Sequence, residues 1–166
     1  MLENPSLKIN QKKTHEHYAI IASAASKRII EIWENAGFNL QPELLFPNDK
    51  PNNHPYSVDV QFIDFHFMVE IDGFTHINTE MRDKKRDKHI EGIASSTGHD
   101  CHIIRLPLVI PEHLIFGNLQ GEKRKDVKVE YHRWLENWAR VELASLPNRL
   151  KLAKLKKSYD RNNQNR

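Results

Sequence analysis

Three acidic residues and a histidine lie close together mid-chain: Asp59 in SVDVQF, and Glu70, Asp72 and His76 in MVEIDGFTH. Carboxylates gathered in one patch repel one another unless something holds or neutralises them. A divalent cation such as Mg²⁺ does this well, because it takes carboxylate oxygens while keeping waters and binding substrate phosphates. An imidazole, whose unperturbed pKa is about 6.5, could beside such an ion relay a proton to or from an attacking water or a leaving oxygen.

Whether the acids converge depends on the elements that carry them. SVDVQF and FHFMVEID both alternate apolar and polar residues, the mark of half-buried strands. A hairpin with an even loop centred on Ile63–Asp64 sets Phe62 against Phe65, Val60 against Phe67 and Val58 against Val69, an apolar and self-consistent buried face. The opposite face then carries Ser57, Asp59 and Gln61 against Glu70, Met68 and His66, with no lysine or arginine in either strand. Asp59 falls opposite Met68, with Glu70 its diagonal neighbour about 7–8 Å away. Asp72 lies one step further along the same face. His76 follows across Gly73, which allows a turn back toward the patch. Acids on the solvent face of a hairpin are also common, so spacing alone leaves the metal open. Asp64 reads as a turn residue.

Around the hairpin the chain reads as helix, strand and loop in alternation. From about Lys12 to Ala36, Ile20, Ile21, Ala24, Ile29, Ile32 and Trp33 recur at helical spacing, with Gly37 placed as a C-terminal cap and a break conceivable inside ASAAS. Phe38 to Phe46 is a candidate extended piece, and PNDKPNNHP is a loop. TEMRDKKRDKHIEGIA reads as an exposed helix capped by Asn78 or Thr79. Gly98 ends it, and CHIIRLPLVI reads as an apolar strand stopped by Pro107 or Pro111. A C-terminal helix from about Lys125 to Leu146 carries Val129, Trp134, Leu135, Trp138, Val141 and Leu143 on a broad stripe. Trp134 and Trp138 read as core rather than as platforms for bases, and Cys101 as an inert buried thiol. The order predicts one mixed α/β domain.

Composition narrows the setting. The chain has 166 residues, 39% hydrophobic and 28% charged, which suits a single soluble domain, and it holds no apolar run of membrane-spanning length. A single cysteine excludes an internal disulfide and a cysteine-built zinc site, and with no secretory pattern at the N-terminus the expected location is cytoplasmic. From Arg149 onward there are seven basic residues against one acid, so this segment carries +6 and the preceding 148 residues carry −3 of the net +3. A basic tail on a mildly acidic body suits a handle for a polyanion, and equally a solvated chain end. The expected organisation is a flexible N-terminus over 1–10, one domain over 11–148 and a basic, disordered tail over 149–166.

The stretch from Val58 to Leu106 resembles the PD-(D/E)XK nucleases. More narrowly, it resembles the branch holding the very-short-patch mismatch-repair endonucleases, the EDxHD homing endonucleases and related small bacterial nuclease domains. The residues that carry the likeness are VDVQF with Asp59, VEIDGFTH with Glu70, Asp72, Gly73 and His76, RDKKRD with Arg86 and Asp87, then Gly98 and IIRL with Arg105. The resemblance implies a restriction-endonuclease-like central mixed β-sheet flanked by helices, phosphodiester hydrolysis and Mg²⁺ as cofactor, with Mn²⁺ able to substitute. It makes Asp59, Glu70 and Asp72 the metal ligands and His76 the general acid or base. The broad family has a lysine two residues after the glutamate, where this chain has Asp72. His76 is the natural substitute, with Lys84 or Lys85 as alternatives from the next helix.

The same likeness suggests Glu31 of the first helix as a further site residue, although an exposed helix acid fits it equally. Asp83 and Asp87 share a helix face, with Asp87 orienting Arg86 or His76. The expected nucleic-acid contacts are Lys84, Lys85, Lys88, Arg105, Lys151, Lys154, Lys156 and Lys157. The expected function is thus a homing- or repair-type DNA endonuclease of a bacterium or phage-infected cell, with DNA as partner, no membrane, and the homodimer left open. The rivals are a DNA-binding module of the same fold that no longer cuts, and an RNA-directed nuclease.

Overall fold

The computed structural model describes residues 23–48, 50, 53–73, 80–96, 101–115 and 119–164, the side chains of 80 and 155–164 excepted. Residues 23–35 form helix α1, unbroken across the described part of ASAAS. It closes as its glycine predicts: Gly37 takes φ 92°, its N–H donates to Glu34 O, and Phe38 N–H reaches back to Trp33 O. This pair of bonds caps the carbonyls that a helix end leaves without partners.

Four strands follow: β1 (Leu40–Phe46), β2 (Tyr56–Phe62), β3 (Phe67–Gly73) and β4 (His102–Leu108), adjacent in that order. The first three are antiparallel, and helix α2 (Glu80–Ser95) separates β3 from β4, which runs parallel to it. The fold is α/β, a mixed sheet flanked by helices, as the sequence predicts. Pro107 does not stop β4, which runs on to Leu108. β4 is an edge strand, where a missing N–H removes no bond that the sheet requires.

The hairpin differs from its predicted register. Phe62 faces Phe67, Gln61 faces Met68 and Val60 faces Val69, a shift of two residues. A short 3₁₀ turn over Ile63–Phe65 widens the loop, with His66 at φ 54° and Asp64 Oδ1 accepting from Asn39 Nδ2. The wider loop stacks Phe62 on Phe67 at 4.7 Å between ring centroids. A shift of two keeps every side chain on its face. It moves Asp59 from opposite Met68 to opposite Glu70.

A second difference is that Val58 and Val60 do not share a face. Val60 packs with Phe62, Val69 and Leu106, whereas Val58 packs with Met68, Ile90 and Cys101. The alternation of β2 therefore switches at Asp59. Its neighbour across β1 is Glu43, which stands at a gap in the pairing with φ 51°. A non-glycine residue in that region marks a strained, bulge-like bend.

The larger core lies between one sheet face and helices α1 and α3 (Gly121–Gln164), and includes Ile29, Trp33, Leu135 and Ala139. Trp33 Nε1 donates to Ala139 O at 2.8 Å, joining the two helices inside it. Trp134 and Trp138 pack against this core, and Cys101 is buried in the smaller one under α2, as expected. Helix α3 is longer than predicted and continues through Pro147 to Gln164, so the segment expected to be a disordered tail is helical throughout its described residues. A proline inside a helix removes a backbone bond. Here Leu143, Leu146 and Leu150 pack on the core on both sides of it, and the following Leu- and Lys-rich segment is intrinsically helix-forming. Among the described residues no helix is long and apolar enough to cross a membrane. The first ten residues, the start of the N-terminal helix, Asn78, Thr79 and Gly98 lie outside the described residues.

Candidate active site

On the sheet face covered by α2, strand alternation sets Met68, Glu70 and Asp72 of β3 beside Ile103, Arg105 and Pro107 of β4, with Glu70 in register with Arg105. Helix α2 lies across them. Ile90 joins Met68 in the smaller core, and the turn before it turns Asp83, Arg86 and Asp87 toward the strands. The apolar contact anchors the helix, and its charged residues are thereby held against the acids of β3.

Asp59 sits where β2 parts from β3. The paired residues end at Val60 and Val69, and Asp59 Oδ2 then accepts the N–H of Ile71 at 2.6 Å. A side-chain oxygen thus takes the place of a strand partner, which fixes the carboxylate beside Glu70.

Glu70 is 8% exposed. Arg86 Nη2 donates to its Oε1 at 2.6 Å, while Oε2 is buried with no hydrogen-bond partner among the described residues. Burial pushes the Glu70 carboxyl up to about 7; Asp59 adds to the rise, and Arg86 and Arg105 oppose it without cancelling it.

Arg105 joins three elements. Its Nε and Nη2 donate to the two oxygens of Asp87 at 2.7 and 2.8 Å, and its Nη1 donates to both oxygens of Asp72 at 2.8 Å. Buried Asp83 lies 3.8 Å from the same guanidinium. Burial alone would lower the Arg105 pKa, but the bonds and charges of Asp87 and Asp72 outweigh it and raise the value further. Four residues on from Asp87, Glu91 Oε1 accepts from Ile103 N at the start of β4. Asp83, Asp87 and Glu91 are thus one acidic stripe of α2 laid along β4.

The structure brings Asp59, Glu70, Asp72 and Asp87 together, and it places Arg105, the α2 lysines and Glu31 otherwise than expected of them at the patch. Arg105 is turned inward to carboxylates, with Nε and Nη2 donating to Asp87 and Nη1 to Asp72. Lys84, Lys85 and Lys88 are exposed, and the side of α2 nearest the patch offers Asp83, Arg86 and Asp87 instead. Glu31 is exposed and pairs with Arg28, which also reaches Glu136 of α3, placing it among helix partners rather than beside Glu70. Lys151 and Lys154 are exposed on α3. His76 and the side chains of Lys156 and Lys157 lie outside the described residues.

Among the described residues no group of three or more His, Cys, Asp or Glu side chains is arranged to hold a metal ion. A smaller donor set remains. Mg²⁺ is commonly bound through one or two carboxylates, with waters and substrate phosphates completing its shell. The buried Glu70 Oε2 beside Asp59 fits such an ion, whereas Asp72 is held through both oxygens by Arg105. Sequence reasoning misses Glu91 and the counter-ion roles of Arg86 and Arg105. The i, i+4 repeat of Asp83, Asp87 and Glu91 is the signal that could have found them.

Comparison of the chain with known protein families, with characterised proteins and with solved structures finds no match.

Proposed function

We propose that this chain is a metal-dependent DNA endonuclease that hydrolyses phosphodiester bonds at the Asp59–Glu70 pair. The observation that carries the reading is Glu70 Oε2, a buried carboxylate oxygen without a partner among the described residues, held next to Asp59 on the neighbouring strand. A mixed sheet flanked by helices, the architecture that the nuclease likeness of Val58–Leu106 implied, also supports it.

Asp59 and Glu70 would hold Mg²⁺ or Mn²⁺, and the bound ion would lower the pKa of a water and offset charge on the scissile phosphate. Of the chain's own groups, Ile71 N–H orients Asp59 and Arg86 orients Glu70. His76 is the residue assigned to proton transfer, in place of the lysine that the broad family carries. Nicking of supercoiled plasmid in Mg²⁺, lost in Asp59→Asn and Glu70→Gln, is the expected result. Metal-independent or mutation-insensitive cleavage counts against it.

One observation favours a second reading, a DNA-binding module that does not cut. Arg86 and Arg105 already neutralise much of the acidic patch, so it does not need a cation to persist. Binding of the same plasmid without any nicking would select that alternative, and competition with RNA would decide between polymers.

A further inference from the structure

Taken with the metal-dependent reading, on which this inference rests, the geometry points to Arg105 as a positioning residue that withholds Asp72 from the metal, leaving Asp59 and Glu70 as the ligand pair. The two arginines of the site act differently. Arg86 engages one oxygen of Glu70 and leaves the other without a partner among the described residues. Arg105 engages both oxygens of Asp72. Its position does not depend on Asp72 alone, because Asp87 grips the other edge of the guanidinium through two further bonds. With its Nε–Nη2 edge fixed by Asp87, the planar guanidinium keeps Nη1 directed at both oxygens of Asp72.

The pairing is also poorly screened. Arg105 and Asp72 are mostly buried, so water offers little to replace the two charge-assisted bonds that Asp72 would surrender on becoming a ligand. The acids of the patch are thereby sorted. Asp72, Asp83 and Asp87 surround one guanidinium on β4, and Glu70 and Asp59 lie on the β2–β3 side of it. Arg105 touches no reacting atom in this arrangement and acts only through the carboxylates it holds.

The test is Mn²⁺ binding to the full chain by isothermal titration calorimetry, for the parent, Asp72→Asn, Arg105→Gln and the double variant, with thermal unfolding showing that each is folded. The parent is expected to take up one ion. Asp72→Asn is expected to keep that stoichiometry with a change in Kd below about tenfold, since Asp72 is not a ligand. Arg105→Gln is expected to tighten binding by roughly tenfold, because a carboxylate is released and a positive charge removed within a few ångströms of the ion. The double variant loses that gain. An Arg105 that served only the fold would weaken binding when removed, the opposite sign, and this result would overturn the proposal. If Arg105→Gln does not fold, Asp72→Asn decides alone, and a weakening beyond tenfold rejects the assignment. No Mn²⁺ uptake by the parent would overturn the metal reading and this inference together, whereas uptake abolished only in Asp72→Asn would overturn this inference alone.

Discussion

Arg86 reaches from α2 to β3 and donates to Oε1 of Glu70 at 2.6 Å, while Oε2 of the same carboxyl is buried without a partner among the described residues. Among the described residues the two oxygens of Glu70 are thus treated differently, one paired with an arginine and the other buried beside Asp59.

This relationship predicts how stability depends on pH. The Glu70 carboxyl is raised from 4.5 to about 7, so the folded state holds its proton more tightly than the unfolded chain. Its contribution to stability is fully present below pH 4.5 and is lost as pH rises through about 7. Glu70→Gln, which cannot ionise, should gain on the parent across that window by up to roughly 3–4 kcal/mol, the shift from 4.5 to about 7 converted at ~1.4 kcal/mol per pH unit. Urea unfolding of both proteins at about pH 5 and about pH 8 measures the difference. Equal pH dependence in the two would contradict the assignment.

Asp59 has a structural task separable from any role in cutting, because its Oδ2 accepts the Ile71 N–H. Asp59→Ala orphans that donor and should cost about 1–3 kcal/mol. Asp59→Asn retains an acceptor and should lose much less stability while losing cleavage. Chemical denaturation of both variants, beside their nicking rates, separates the tasks. Equal stability loss in the two would show that Ile71 N–H does not depend on this side chain.

The basic end of α3 should act as a sequence-independent handle for a polyanion. Arg149 is paired with Glu142 and Ser145, so the lysines beyond it are the candidates. Removing residues 151–166 should flatten the dependence of log Kd on log salt by roughly 0.9 for each phosphate that is no longer neutralised. An unchanged slope in duplex-binding titrations would reduce this segment to a helical extension with no part in binding.

For His76, replacement by alanine should slow the cleavage step by about 10²–10⁴-fold, the usual range for acid–base help, with Mn²⁺ affinity retained. The pH–rate profile should also lose a limb near neutrality. Parental cleavage by His76→Ala, with Lys84→Ala or Lys85→Ala inactive, would move proton transfer to α2.

Much of this arrangement is legible in the sequence because it rests on period and spacing. The alternation of SVDVQF and FHFMVEID places Glu70 and Asp72 on one face, and Gly37 marks the end of α1. The register of the hairpin is not legible, since the 3₁₀ loop and a tighter one both keep Phe62, Val60 and Val69 facing an apolar partner. Nor is the switch of face at Asp59, which coincides with a left-handed Glu43 at a gap in the pairing of the adjacent strand. The absence of lysine or arginine from β2 and β3 suggests a cation as the neutralising charge. The arginines that share this task come from α2 and β4, and only the parallel return of β4 sets Arg105 beside Glu70. Along 149–164, helix propensity and dense positive charge point in opposite directions, and the structure follows the propensity.

Cleavage itself remains the most direct measurement: supercoiled plasmid incubated with the purified chain in Mg²⁺, in Mn²⁺ and in chelator, with Asp59→Asn run in parallel. Metal-dependent cleavage at Asp59 and Glu70 requires nicked or linear product with either ion, none in chelator, and none with Asp59→Asn although that variant still binds the plasmid. Plasmid that is bound and left intact by the wild-type chain in both ions would contradict it.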